Sequence, residues 1–288
     1  MSLIRPLFAP GSPAAPEVMI GLHCSASSGR QWDAYTSLLP SGMRLVAPEL
    51  MGYDPGEKWD PSMPVSLEAE ARRLGPLLSS EGGGVHLVGH SYGGSVALQM
   101  ALRWPDRIKT LTLFEPVRFA LLLADREHEA VGHAIVSVGR RIGWHVLSGR
   151  LDEAAALFVD YWSGTGAWES LPASRRRAIA ERMPKVRAEF EALLADTVPA
   201  WSYGALKMPL RLITGSTSPL PARKVVDIIA RECAHAEVVR LDGVGHMGPI
   251  SHASLVAPHL AFQPRQPQPA LAAWSEAAGA RPRPALNS

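Results

Sequence analysis

A serine with glycine two residues to either side, in Gly89-His90-Ser91-Tyr92-Gly93, is placed to act as a nucleophile if the chain turns sharply there. A serine pushed out on a strand-to-helix turn needs small neighbours, because larger ones would clash. The residues around it suit such a turn: Val85-His86-Leu87-Val88 reads as a short strand and Gly93 to Trp104 as a helix ended by Pro105. The turn also directs the Tyr92 backbone N–H at the reacting centre, where the helix dipole favours negative charge. A serine hydroxyl needs a general base to take its proton. Of ten histidines, His246 stands apart. It lies in Leu241-Asp242-Gly243-Val244-Gly245-His246-Met247-Gly248-Pro249, a glycine-rich loop after the last expected strand. Its glycines let the loop fold over the sheet edge and lower an imidazole towards Ser91. His90, beside the serine on a sharp turn, reads as a packing residue, and His23 as a structural loop residue.

The elements that would hold these residues alternate. Strands are expected at Val18 to Leu22, Arg44 to Ala47, Val85 to Gly89, Ile108 to Phe114, Pro209 to Thr214 and Glu237 to Leu241. Helices are expected at Gln31 to Leu39, Ser66 to Leu78 with Ser66 as N-cap, Gly93 to Trp104, Ala222 to Arg231 and from about Ser251. Strand and helix in repeated succession imply an α/β fold, with a mostly parallel central sheet flanked by helices. Residues 118–201 break that rhythm with an almost wholly helical pattern. The organisation expected is a loose lead-in over 1–16, an α/β core over 17–117 and 202–263, a helical insertion over 118–201 and a disordered Pro-, Gln- and Ala-rich tail over 264–288.

With these motifs the chain resembles the α/β-hydrolase superfamily, over about Glu17 to Phe262. Leu22-His23-Cys24-Ser25 followed by Trp32 is similar to the His-Gly segment after that family's third strand. The resemblance implies that the Ser25 N–H joins the Tyr92 N–H in an oxyanion hole. Cys24 stands where the family usually has glycine; it reads as a small apolar group in the pocket, with a reactive thiol as the lesser reading. The family's order of serine, acid and histidine along the chain agrees with Ser91 and His246. The acid departs from the pattern. Where the family places an aspartate after its seventh strand, this chain has Ser218, in Gly215-Ser216-Thr217-Ser218-Pro219. Some members carry the acid after the sixth strand, and the corresponding Leu113-Phe114-Glu115-Pro116 offers Glu115 at the carboxyl edge of the sheet. Glu115 is therefore the expected third member of a Ser-His-Glu triad, with Asp227 and Asp242 poorer candidates. The insertion resembles the family's helical cap, and Trp144, Phe158, Trp162 and Trp168 are its candidate pocket residues alongside Cys24.

The expected activity is an esterase-type serine hydrolase, acting through an acyl-enzyme on a small or medium, mostly apolar carbonyl substrate. A C–C bond hydrolase, lactonase, acyltransferase or haloperoxidase-like protein would carry the same residues. A non-catalytic receptor that uses the pocket is the reading Ser218 favours. Composition narrows the partners. Twenty-nine Lys and Arg against 27 Asp and Glu leave a net charge of +2, which gives no reason to expect nucleic acid or an anionic membrane. The Arg175-Arg176-Arg177 cluster reads as a solvated helix face. Two cysteines far apart suggest neither a disulfide framework nor a zinc site, so no metal and no cofactor is expected. No signal-peptide pattern and no apolar run near 20 residues is present, so the expectation is a cytoplasmic protein.

Overall fold

A computed structural model describes residues 17–54, 59–60, 62–80 and 84–261. The expected lead-in over 1–16 and the tail over 264–288 lie outside the described residues. The strands are β1 (Glu17–Leu22), β2 (Met43–Val46), β3 (Val85–His90), β4 (Ile108–Phe114), β5 (Leu210–Gly215) and β6 (Glu237–Leu241). They form one sheet in the order β2-β1-β3-β4-β5-β6, parallel throughout. Parallel neighbours need long crossovers, which the intervening helices supply.

Alternation within the strands divides the interior. Val18, Ile20 and Leu22 of β1, with Val85 and Leu87 of β3 and Leu111 and Leu113 of β4, join the larger core. Met19, Val88, Phe114 and Ile213 face the opposite side and pack with Trp32, Tyr35, Val256 and Leu260. Successive strand residues point to opposite faces, so one short apolar run fills both layers. Helices α1 (Leu67–Ser80) and α2 (Tyr92–Arg103) cover the larger side. The Ser66 hydroxyl accepts the Ala69 N–H at 3.1 Å, as an N-cap should.

Between β4 and β5 the chain forms α3 (Ala120–Ala124), α4 (Glu129–Leu147), α5 (Leu151–Ser163), α6 (Ala167–Ser170), α7 (Ala173–Ala180) and α8 (Met183–Leu194). Their apolar faces are continuous with the larger core through Phe119, Ile142, Trp162 and Phe190. The base of this insertion is pinned by a buried pair: Arg118 Nε donates to Asp196 Oδ2 at 2.7 Å, and Arg118 also donates to Gln99 Oε1 at 2.8 Å. Helix α9 (Leu220–Glu232) returns the chain to the core rhythm.

Two elements differ from expectation. The stretch after β2's predecessor, expected as a helix over Gln31 to Leu39, is a 3-10 segment over Gly29–Tyr35. The single helix expected from about Ser251 is broken into α10 (Gly248–Ser251), α11 (Ala253–Val256) and a 3-10 turn over Ala257–His259. His252 between the two helical pieces has φ −134° and ψ 46°, and Pro258 supplies no N–H to a continuous helix.

Candidate active site

Parallel registry sets the site. His90 pairs with Phe114 across β3 and β4, and Phe114 with Ile213 across β4 and β5. The ladder continues one step further: Ser91 N–H bonds to Phe114 O at 3.0 Å and Glu115 N–H to Ile213 O at 3.0 Å. Ser91 and Glu115 thus sit side by side at the carboxyl edge, where α/β sheets build their sites. Both have positive φ, 55° and 45°, which turns their side chains off the strand direction. The turn at Ser91 depends on close backbone approach. A Cβ at Gly93 would lie 2.3 Å from His23 O, so only glycine lets α2 start against the loop after β1.

The loop after β6 brings His246 over this edge. Its Nε2 lies 2.9 Å from Ser91 Oγ and its Nδ1 2.6 Å from Glu115 Oε2. All three side chains are buried. The remaining Glu115 oxygen accepts the Thr214 hydroxyl at 2.7 Å and the Gly215 N–H at 2.8 Å. Burial alone would raise the Glu115 pKa. The His246 hydrogen bond and charge, aided by Ser218 and Thr214, outweigh it and hold the carboxyl below its ordinary value. Ser218 Oγ is buried beside this carboxylate. Asp227 pairs instead with Lys224 and Arg240, and Asp242 accepts the Ser216 hydroxyl.

Two further rings touch the imidazole. His90 Nε2 donates to the His246 carbonyl at 2.8 Å, which ties the loop to β3. Burial, then the nearby His246, pushes the His90 pKa well down, so His90 is a neutral tether. The Trp162 ring, from α5 of the insertion, lies 4.1 Å from the His246 ring centroid to centroid.

The loop expected to supply a second backbone N–H beside Ser91 is equally specific. In the loop after β1, the Cys24 N–H is taken by Gln31 Oε1 at 3.1 Å and the Ala26 N–H by Tyr53 Oη at 3.0 Å. The Ser25 N–H between them is not committed to another group among the described residues, nor is that of Tyr92. His23 steadies this loop, accepting the Leu50 N–H at 3.1 Å and facing the Cys24 carbonyl at 2.8 Å. Burial pushes the Cys24 thiol up to about 12, so it stays protonated and is a poor nucleophile.

Ser91, His246, Cys24 and Ser25 share one cavity of about 30 Å³, walled by Val117, Phe119, Phe158, Trp162, Phe190 and Leu193. A second cavity of about 310 Å³ adjoins it across Cys24, Ser25, Phe158, Trp162 and Met247, with Arg175 on its wall. Of the expected pocket residues, Cys24, Phe158 and Trp162 line these spaces. Trp144 does not: it is 57% exposed on α4, with the Arg150 guanidinium stacked 3.9 Å over its ring. Trp168 is buried in the packing of the insertion and lines a separate surface groove. Helical spacing places an aromatic on a face without saying which neighbour covers that face. Arg176 pairs with Glu169, in keeping with a solvated helix face. Sequence reasoning passed over Phe119, Glu189, Phe190, Leu193 and Met247; only the packing of the segment before α3, of α8 and of the histidine loop reveals them.

Asp125, Glu127 and His128 hold ligand atoms within 4.8 Å of one another, but Asp125 is paired with Arg231 and none of the three lines the cavity. No helix among the described residues is long and apolar enough to cross a membrane.

The chain is similar to known proteins over most of its length. Residues 18–283 match the model of the alpha/beta hydrolase family. The chain is 33% identical over 105 residues to lipase LipV of Mycobacterium tuberculosis, a match spanning 36% of this chain and 39% of that lipase. It is 26% identical over 250 residues to a pimeloyl-(acyl-carrier protein) methyl ester esterase of Aromatoleum aromaticum, spanning 82% of this chain and 93% of the esterase. A solved hydrolase from Pseudomonas aeruginosa matches with a TM-score of 0.67 at 20% identity, over 85% of this chain and 89% of that one, a likeness of fold.

Proposed function

Because the chain belongs to the alpha/beta hydrolase family, we propose that it is a serine esterase working through a Ser91-His246-Glu115 triad. The observation that carries this reading is the unbroken relay from Ser91 Oγ through His246 to Glu115, with both ring nitrogens within 2.9 Å of their partners. Ser91 Oγ attacks the ester carbonyl carbon while His246 Nε2 takes its proton. Glu115 receives the Nδ1–H, fixes the tautomer and stabilises the imidazolium. The carbonyl oxygen becomes an oxyanion facing the Ser25 and Tyr92 N–H groups. Collapse expels the alcohol, to which His246 returns the proton. Water, deprotonated by His246, then attacks the acyl-enzyme and releases the acid and Ser91.

The insertion acts as a cap in this reading. It supplies Phe158, Trp162, Phe190 and Leu193 to the cavity, excluding water and selecting a short apolar group beside Ser91. The adjoining larger cavity suits the other side of the ester. Relatives named as a lipase and a methyl ester esterase support ester chemistry.

A fluorophosphonate probe should label Ser91 in the folded protein, and Ser91→Ala should abolish both labelling and p-nitrophenyl ester turnover. Absence of labelling in well-folded protein would sink the reading. Glu115→Gln should retain the fold while kcat falls by about 10³- to 10⁴-fold, the loss expected when the orienting acid of a triad is neutralised. Full turnover in that variant would remove Glu115 from the triad.

A further inference from the structure

One wall of the inner cavity is charged. Glu189 of α8 lines it, yet only 1% of its side chain is exposed. Its Oε1 accepts from Lys185 Nζ at 2.8 Å, and its Oε2 is buried without a hydrogen-bond partner. Lys185 cannot balance it alone, because the same ammonium donates to Glu70 Oε1 at 3.1 Å. Glu70 is fully occupied, accepting also from the Tyr92 hydroxyl at 3.2 Å and the Met51 N–H at 3.1 Å. One Lys185 ammonium is therefore shared between two buried carboxyl groups behind the cavity. The rings of Tyr53, Tyr92 and Trp59 surround Lys185 within 5.4 Å and keep water from the cluster. Tyr53 also faces Glu189: its oxygen accepts the Ala26 N–H at 3.0 Å, and burial, then the Glu189 carboxylate beside it, raises its pKa well above the ordinary value.

A buried carboxylate oxygen without a donor is costly, and natural proteins leave few such atoms. Here the open lone pair belongs to a residue on the wall shared with Ser91 and His246. We propose that Glu189 is a specificity-determining residue whose Oε2 accepts a hydrogen bond from a hydroxyl or ammonium group on the substrate. The preferred substrate is then a short ester bearing such a donor, with apolar walls on either side of it. This inference rests on the serine esterase reading for the identity of the bond cleaved, though not for the binding itself.

The test is made in Ser91→Ala protein, which holds an ester without cleaving it. Calorimetric titration would compare ethyl butanoate with ethyl β-hydroxybutanoate, ethyl β-aminobutanoate and hydroxyethyl butanoate. At least one donor-bearing ester should bind about 10-fold more tightly than ethyl butanoate, the usual strength of a hydrogen bond to a charged group. Adding Glu189→Leu should bring that ratio near one. Adding Glu189→Gln should bring it below one for the amino ester, because Lys185 claims the amide oxygen and turns the amide N–H₂ towards an ammonium that cannot accept. Equal binding of all four esters to Ser91→Ala overturns the proposal. So does a preference that survives both substitutions in protein with an unchanged melting temperature. If the Glu189 variants fail to fold, the ratio in Ser91→Ala decides alone. Fluorophosphonate labelling of the unaltered chain separately decides whether Ser91 is the nucleophile.

Discussion

Ser91 and Glu115 occupy backbone conformations that residues with side chains rarely adopt, with φ of 55° and 45°. Such strain at a functional position costs about 1–3 kcal/mol and persists because the surroundings enforce it. Ser91→Gly should therefore unfold at a higher free energy than Ser91→Ala, by about 1 kcal/mol, in denaturant titrations. Equal stability would mean that the turn is relaxed. Acid dependence belongs to the same scale. The Glu115 carboxyl is held below its ordinary value of 4.5. Its contribution to stability is full above 4.5 and is lost as pH falls through the lower, folded value. Melting temperatures followed downward from that pH should fall more steeply for the unaltered chain than for Glu115→Gln; parallel curves would contradict the linkage. Glu115 is legible in the sequence because Ser218 cannot hold a charge and an acid ends a neighbouring strand. Glu189 is not. It stands four residues after Lys185 on a helix, the spacing of an ordinary surface ion pair, and only the fold shows that both are buried.

At the scale of elements, short strands read well. The bounds of β4 and β6 coincide with those expected, since β-branched and apolar residues between turns mark a strand within very few positions. The helix expected from Ser251 read poorly, because His252 and Pro258 break a stretch whose apolar spacing suits a helix. The insertion joins the core through Arg118, at its entry, and Asp196, just after α8. Arg118 is wholly buried and the Asp196 side chain is 8% exposed, so neither charge can turn to water when its partner is lost. Asp196→Ala should destabilise the protein by about 3–5 kcal/mol, whereas replacing both residues with apolar ones should cost much less. Chemical denaturation of the two variants would check this. A loss under about 1 kcal/mol for Asp196→Ala would show that solvent reaches the pair.

Across the whole molecule, residues 91, 115 and 246 meet because three crossovers return the chain to the same sheet edge. Strand and helix alternation implies the edge where they meet, since parallel sheets gather their loops at the carboxyl ends; the resemblance to the hydrolase superfamily, not the alternation, implies which acid joins Ser91 and His246. What covers the edge was not legible. Which face of each insertion helix turns inward depends on six helices packing together, so Trp162 reaches His246 while Trp144 meets solvent.

The neighbouring positions of Glu115 and Ser218 have a consequence for ancestry. The two lie at the ends of adjacent strands, with Ser218 beside the Glu115 carboxyl that meets the imidazole. An acid can therefore change seats without the histidine moving. Ser218→Asp introduced into Glu115→Gln should recover part of the lost turnover, and failure to recover any would mean that the second seat is closed. Where such exchange works, a lineage can pass from one acid to the other through chains that remain active at every step. Position in the sequence is then a poor record of descent, and position in space a better one.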